Sequence, residues 1–337
     1  MRDSKCFQRK PKGRAALFSE AGFTLIEMMS AFVILIIAMT AAYATFEFQH
    51  ASFTVQNRVA ETQQNLRAAI EVMSRDIRLA GYGIPSQVGL PPGLLPNGDN
   101  TIRNLSPLNR TTGPDELYIM YLYDMDANSP PTTLTSPMPN QSAEINVGSV
   151  TGFSIGDLVI ISNGLTADMF EVTQVQAASL KLQHNPGGSA REYNSPGGHS
   201  LWPAGGYGTG STVAKVRFVR YFIDNVTDPA HPTLMLDKMT GPAPQPLADD
   251  IEDMQFQYGL DTSFPADFIV DTTGVNSPNA TQIPQIRQVR VMLSARTRMP
   301  ERKWQEVRPA MGDRAAGAAA DGYKRRTIDV AIDLRNP

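Results

Sequence analysis

Four histidines and one cysteine are the most versatile side chains in this 337-residue sequence, and their spacing assembles no site. His50, His184, His199 and His231 are scattered with no HExxH pairing on a helix face, and Cys6 has no partner for a disulfide or a thiolate zinc site. The histidines read as surface residues. Gly205-Gly206-Tyr207-Gly208-Thr209-Gly210 lacks the Gly-Lys-Ser/Thr ending of a phosphate-cradling loop and reads as a flexible turn. Asp124-Met125-Asp126-Ala127-Asn128 begins like a calcium loop. However, Ser129 stands where the sharp turn needs Gly, and Thr135 stands where the closing Glu belongs. The acidic cluster Asp249, Asp250, Glu252 and Asp253 reads as a solvated turn before a strand. No catalytic residue, cofactor or metal is expected, and the chain is not read as an enzyme. The string with a definite chemistry is Ala21-Gly22-Phe23-Thr24-Leu25-Ile26-Glu27: small residues, then an aromatic, then one carboxylate inside an apolar run. An acidic side chain there is costly unless it reaches the interface or a cation.

The elements around that string are unusual. Residues 1–22 carry Arg2, Lys5, Arg9, Lys10, Lys12 and Arg14 against Asp3 and Glu20, a net of +4 that favours the cytoplasmic side of a membrane. From Phe23 to Phe46, FTLIEMMSAFVILIIAMTAAYATF has Glu27 as its only formal charge, and as a helix it would reach about 36 Å, enough to cross a bilayer. Three readings stay open on these residues: a plain anchor, a secretory signal cut after Ala42-Tyr43-Ala44, or a segment cut before Phe23 and retained. The apolar run is longer than a secretory core of about 7–15 residues.

Beyond Phe46, Val55, Val59, Thr62, Leu66, Ala69, Met73, Ile77 and Ala80 recur at steps of three and four, with Ile70 widening the stripe. No Pro or Gly interrupts residues 23–80, so one continuous helix is expected, amphipathic over 47–80 and packing its stripe on the chain's own domain. Gly81, Gly83 and Pro85 end it. Residues 84–114 read as an extended surface connection. Strands are expected at 116–123, 213–223, 234–236, 251–258, 286–293 and 328–334, forming an antiparallel sheet, with a small β-barrel-like subdomain inserted at about 143–185. A formal charge of −3 argues against a nucleic-acid partner.

The string Ala21 to Glu27 resembles the processing signal of type IV prepilins. The resemblance implies that a prepilin peptidase cuts between Gly22 and Phe23, that the Phe23 amine is N-methylated, and that Glu27 serves subunit assembly. Ser74-Arg75-Asp76-Ile77-Arg78-Leu79-Ala80-Gly81-Tyr82-Gly83, the segment Leu247 to Gly259, and Ile332-Asp333-Leu334-Arg335-Asn336 are similar to minor pilins of the PilW type. That family implies an α+β, pilin-like fold. Its parts would be a leader (1–22), a membrane and filament-core helix (23–46), the amphipathic continuation (47–80) and a β domain (81–337). The function implied is that of a minor pilin: it meets other minor pilins in the inner membrane, primes pilus assembly and enters the filament near its tip. The partners implied are prepilin peptidase, the minor and major pilins, the inner-membrane assembly platform and a tip adhesin. The implied location is the inner membrane, N-terminus cytoplasmic and domain periplasmic, then the pilus. The alternatives are a J-like pseudopilin of type II secretion and a membrane-anchored or secreted ligand-binding β protein.

Overall fold

The computed structural model describes residues 22–123, 130–187, 191–195, 199–241 and 243–335. The expected leader up to Ala21 and the calcium-like string Asp124 to Ser129 lie outside the described residues. Two compact units divide after Gln56, and helix α1 (Leu25–Leu79, 55 residues) contributes to each.

In the first unit the helix is apolar on every side. Phe23, Leu25, Ile26, Phe32, Ile34, Ile36, Ile37 and Phe46 are all exposed. Among the described residues α1 is the one helix long and apolar enough to cross a membrane.

In the second unit, residues 57–79 of α1 bury Thr62, Leu66, Ala69, Ile70, Met73, Asp76 and Ile77. Helical spacing of three and four puts these on one face, and Leu66, Ala69, Ile70, Met73 and Ile77 lie in one core with Leu117, Tyr221, Leu234, Met254, Phe256, Val291 and Ile332. The helix stops at Leu79 because Gly81 adopts φ +81°, which a Cβ disfavours.

The strands in chain order begin with β1 (Val88–Gly89), β2 (Thr101–Ile102), β3 (Leu105–Leu108) and β4 (Glu116–Leu122). Next come β5 (Thr132–Thr133), β6 (Ile145–Asn146), β7 (Leu158–Ser162), β8 (Ala167–Glu171), β9 (Gln174–Gln176) and β10 (Lys181–Gln183). The long β11 (Thr212–Asp224), β12 (Thr233–Asp237), β13 (Gln245–Ala248), β14 (Ile251–Leu260) and β15 (Thr272–Val275) follow, and β16 (Ile286–Arg296), β17 (Glu306–Val307), β18 (Ala320–Asp321) and β19 (Arg325–Asp333) close the series. Strand β11 is the hinge of a ten-stranded sheet: Thr212–Lys215 pairs with β7, Val216–Tyr221 with β4 and Arg220–Asp224 with β12, all antiparallel. A second, antiparallel sheet runs β15-β14-β16-β19.

Strand alternation distributes β7 between two further cores. Leu158 and Ile160 point to one with Val88, Leu90, Leu95, Ile102 and Met120; Val159 and Ile161 point to the other, with Ile145, Phe170 and Leu182. That division explains why all five residues of β7 are buried. The three-stranded sheet β6-β10-β9 lies with β7 and β8 around the last of these cores.

Two expectations are corrected. Residues 84–114 are not a surface connection: they form β1, β2 and β3, and they bury Val88, Leu90, Leu95, Ile102 and Leu105. The six expected strands pair antiparallel but fall in two sheets rather than one, and β1, which is not among them, runs parallel to β8 through Val88 and Ala167.

Candidate functional site

The N-terminal string begins the helix with a reciprocal cap. Thr24 is the residue before the first helical turn; its amide and its hydroxyl each donate to Glu27 Oε2 at 2.9 Å, and the Glu27 amide donates back to Thr24 Oγ1 at 3.3 Å. Thr-x-x-Glu is a capping box that satisfies amides which the helix ladder leaves free. The Met28 amide then donates to the Thr24 carbonyl at 3.2 Å, closing the first turn. Both cap bonds fall on Oε2. Among the described residues no hydrogen bond falls on Oε1, and Glu27 is fully exposed.

Gly22 and Phe23 precede the cap and are non-helical. Among the described residues a Cβ placed on Gly22 meets no atom within 4 Å, so none of them demands glycine there. The chain carries a prokaryotic N-terminal methylation motif. It spans residues 17–43, and residues 220–336 match the family model of type IV pilus-assembly protein W. No curated protein matches the chain. Among solved structures, a type IV-like pilin from Thermus thermophilus, TTHA1219, matches at 12% identity, over 81% of this chain and 95% of that one, with a TM-score of 0.35.

The PilW-type segment contains β12 to β19 and holds a buried ionic network. Asp253 is fully buried, with Arg308 at 2.7 Å and Arg314 at 2.7 Å on its two oxygens. Glu252 accepts from Arg325 Nε at 2.7 Å, and Arg325 also grips Asp321 at 2.6 Å. These contacts tie the chain between β16 and β19 onto the sheet. The acidic cluster is therefore corrected from a solvated turn to the anchor of a long connection. Asp250 is also buried, bonded to His231 Nδ1 at 2.9 Å, and of the four acids named Asp249 is the exposed one.

On the buried face of α1, Asp76 receives the hydroxyls of Tyr121 at 2.8 Å and Tyr221 at 2.6 Å. Burial and the nearby Asp76 charge hold both phenols above their usual range. A carboxylate buried this way needs both donors, so it fixes the register of α1 against β4 and β11. Its signal, an acid within an apolar stripe, was in the sequence.

Two histidines are corrected as well. His184 and His199 are buried, and both rings pack at a tilt against Phe170, with centroids 4.6 and 4.2 Å away. Burial, with His184 close by, pushes His199 down to about 4, while burial raises Asp168 to about 6 against the pull of a 2.8 Å bond from Tyr207. A neutral imidazole 3.9 Å from that carboxylate is packing and not an ion pair.

Tyr207 is fully buried and its backbone bridges Met138, so the Gly205–Gly210 stretch is pinned rather than flexible. Glycine at 206 is required, since a Cβ would sit 2.1 Å from the Met138 carbonyl. Among the described residues no group of three or more His, Cys, Asp or Glu could hold a metal ion.

Proposed function

We propose that this chain is a minor pilin, a non-enzymatic subunit processed between Gly22 and Phe23, methylated on the Phe23 amine and inserted into a type IV pilus through its apolar helix. The observation that carries the reading is the N-terminal string itself. None of the described residues asks for glycine at 22, Phe23 would become the first residue, and a capped, uninterrupted apolar helix follows. The PilW-type segment at 220–336 favours a pilus-assembly subunit over a plain anchor.

On this reading the protein enters the inner membrane with its basic leader in the cytoplasm and its β domain in the periplasm. It meets the prepilin peptidase, the assembly platform, other minor pilins and the major pilin, primes assembly, and is carried near the tip, where an adhesin would join it. Removing residues 1–22 changes Lys+Arg from 30 to 24 and Asp+Glu from 33 to 31, a formal charge of −7, and removes Cys6. The 315-residue mature chain would then rest on packing, hydrogen bonds and ion pairs alone.

Glu27 supports the assembly role. With Oε2 holding the cap and Oε1 outside it, the carboxylate can cap its own helix and still meet the Phe23 amine of a neighbouring subunit. Sequencing the mature N-terminus decides among the readings. A start at Phe23 supports the minor pilin, a start at Thr45 a secreted protein, and an intact Met1 a plain anchor.

A further inference from the structure

Residues 296–326 form a strongly cationic stretch of the 57–337 unit. They carry nine Lys and Arg against four Asp and Glu, a net of +5 in a chain of −3, so everything outside them sums to −8. Asp250, Glu252 and Asp253 of β14 offset three of those charges, through Arg298, Arg325, Arg308 and Arg314. Within the stretch the acids are occupied: Glu301 holds Arg58 at 3.2 Å, and Glu306 accepts the Trp304 indole at 2.8 Å and the Arg325 amide at 3.2 Å. Arg302 and Lys303 are exposed, and among the described residues no carboxylate pairs with either.

Beside these cations lie exposed apolar groups. Met299 is 56% exposed, Trp304 41% and Val307 40%. The segment that presents them is braced: the Glu301 amide donates to the Gly322 carbonyl at 2.7 Å, the Trp304 amide to the Glu301 carbonyl at 3.1 Å, and the Thr297 hydroxyl to the Met299 carbonyl at 3.1 Å. Lys324 Nζ lies 4.7 Å from the Trp304 ring. An indole with a bonded N–H, set among Arg and Lys, suits a boundary between lipid and water.

The chain enters the unit at this surface. The unit begins at Asn57, and Arg58 meets Glu301 and, at 3.7 Å, the Met299 sulfur. Thirty-five residues separate Phe23 from Arg58, and a helix of that length reaches about 52 Å. A hydrocarbon core of about 30 Å and one headgroup layer take up about 36 Å of it. Arg58 therefore stands at most about 16 Å above the headgroups, and any tilt of the helix brings it nearer. A long cationic side chain and a screening length of about 8–10 Å bridge that distance.

We propose that the surface formed by Met299, Arg302, Lys303 and Trp304 rests on anionic phospholipid headgroups of the bilayer that holds the chain's own apolar helix. The charge of −8 elsewhere is repelled by the same headgroups, so the field turns this end of the unit toward the lipid. The inference rests on the apolar half of α1 lying in a bilayer, as proposed above, and not on cleavage at Gly22.

Trp304 is its own reporter, since the chain has one other tryptophan, Trp202. The full chain carrying Trp202→Phe is reconstituted into vesicles of phosphatidylcholine, with or without a third of phosphatidylglycerol, containing lipid with a spin label on its headgroup. In the anionic vesicles Trp304 emission should be quenched at least twofold. Phosphatidylcholine alone, about 1 M salt, where screening acts within about 3 Å, or Arg302→Glu with Lys303→Glu should each remove at least half of that quenching. The native chain compared with Trp304→Phe should show the same difference, which covers any disturbance from the change at 202. Flotation with the vesicles separates the two levels of the argument. A chain that does not float refutes the anchored helix and this contact with it. A chain that floats with Trp304 unquenched, as an acidic protein partner in place of lipid would leave it, overturns the contact alone. So does quenching that ignores lipid charge or the charge reversal.

Discussion

One helix, α1, carries two kinds of apolar surface. Up to Gln56 its large side chains point in every direction and are exposed; from Asn57 its apolar residues recur at three and four and disappear into a core. Backbone continuity is local and needs no more than a capped start and 55 residues free of Pro and Gly. What a helix buries is set by spacing. The second half finds its cover in its own sheets, whereas the first presents Phe, Ile, Leu and Met that lipid or other helices would have to cover.

The sharpest way to break this contrast is to put charge on the buried half. Leu66→Asp with Met73→Asp places two carboxylates where the native side chains are 3% and 0% exposed. The expected cost is several kcal/mol, about the size of a small domain's whole stability. A chain truncated at residue 51 is expected to be soluble and folded, and the double variant of that fragment should lose its cooperative unfolding transition. An unchanged transition would mean the stripe does not hold the fold.

On the exposed half the same logic predicts a large effect on processing and none on folding. Gly22→Val should leave the full-length precursor in the membrane, visible as a slower band on a gel, while Gly22→Ala is cut in part. Since a Cβ at 22 meets none of the described residues, domain stability should be untouched in both. Normal maturation of Gly22→Val would reject cleavage at this bond.

The two carboxylates of α1 make the comparison finer. Asp76→Ala orphans two buried tyrosine hydroxyls, each worth about 1–3 kcal/mol. A loss of roughly 2–5 kcal/mol in urea unfolding is expected. Tyr121→Phe with Tyr221→Phe in that background should recover part of it, because the unpaired groups are then gone.

How much of this was legible followed from periodicity. Alternation of Ile328, Val330, Ile332 and Leu334 marked β19, and the three-four stripe marked the buried face of α1. Residues 84–114 were misread because Val88, Leu90, Leu95 and Ile102 sit singly among Pro, Gly and Asn, and strands of two residues carry no period. The acidic cluster was misread for a different reason. Arg308 and Arg325 lie 55 and 73 positions from their carboxylates, and no local pattern announces such partners. At the N-terminus the string Ala21 to Glu27 is legible, and the cap within it is too, since Thr24 and Glu27 stand at the Thr-x-x-Glu spacing.

Glu27 gives the smallest effect on the isolated molecule. Its carboxylate is exposed and among the described residues its bonds are to Thr24, so Glu27→Ala should fray no more than the first turn and leave the unfolding of the 57–337 unit unchanged. The proposed cleavage site lies five residues upstream, and cutting there should proceed normally. Assembly is where the loss should appear. Opposite charges about 4 Å apart attract several times more strongly in partly desolvated surroundings than in water, enough to bias the register in which a subunit docks on the Phe23 amine of its neighbour. A subunit with nothing above it would have no use for that carboxylate, so its presence favours a place beneath another subunit. Glu27→Ala should therefore be found mature in the membrane yet depleted from sheared pili and from pull-downs of partner pilins. Glu27→Asp, which shortens the reach but keeps the charge, should fall between. Recovery equal to the native chain would leave Glu27 as a helix cap and remove both the pairing and the placement.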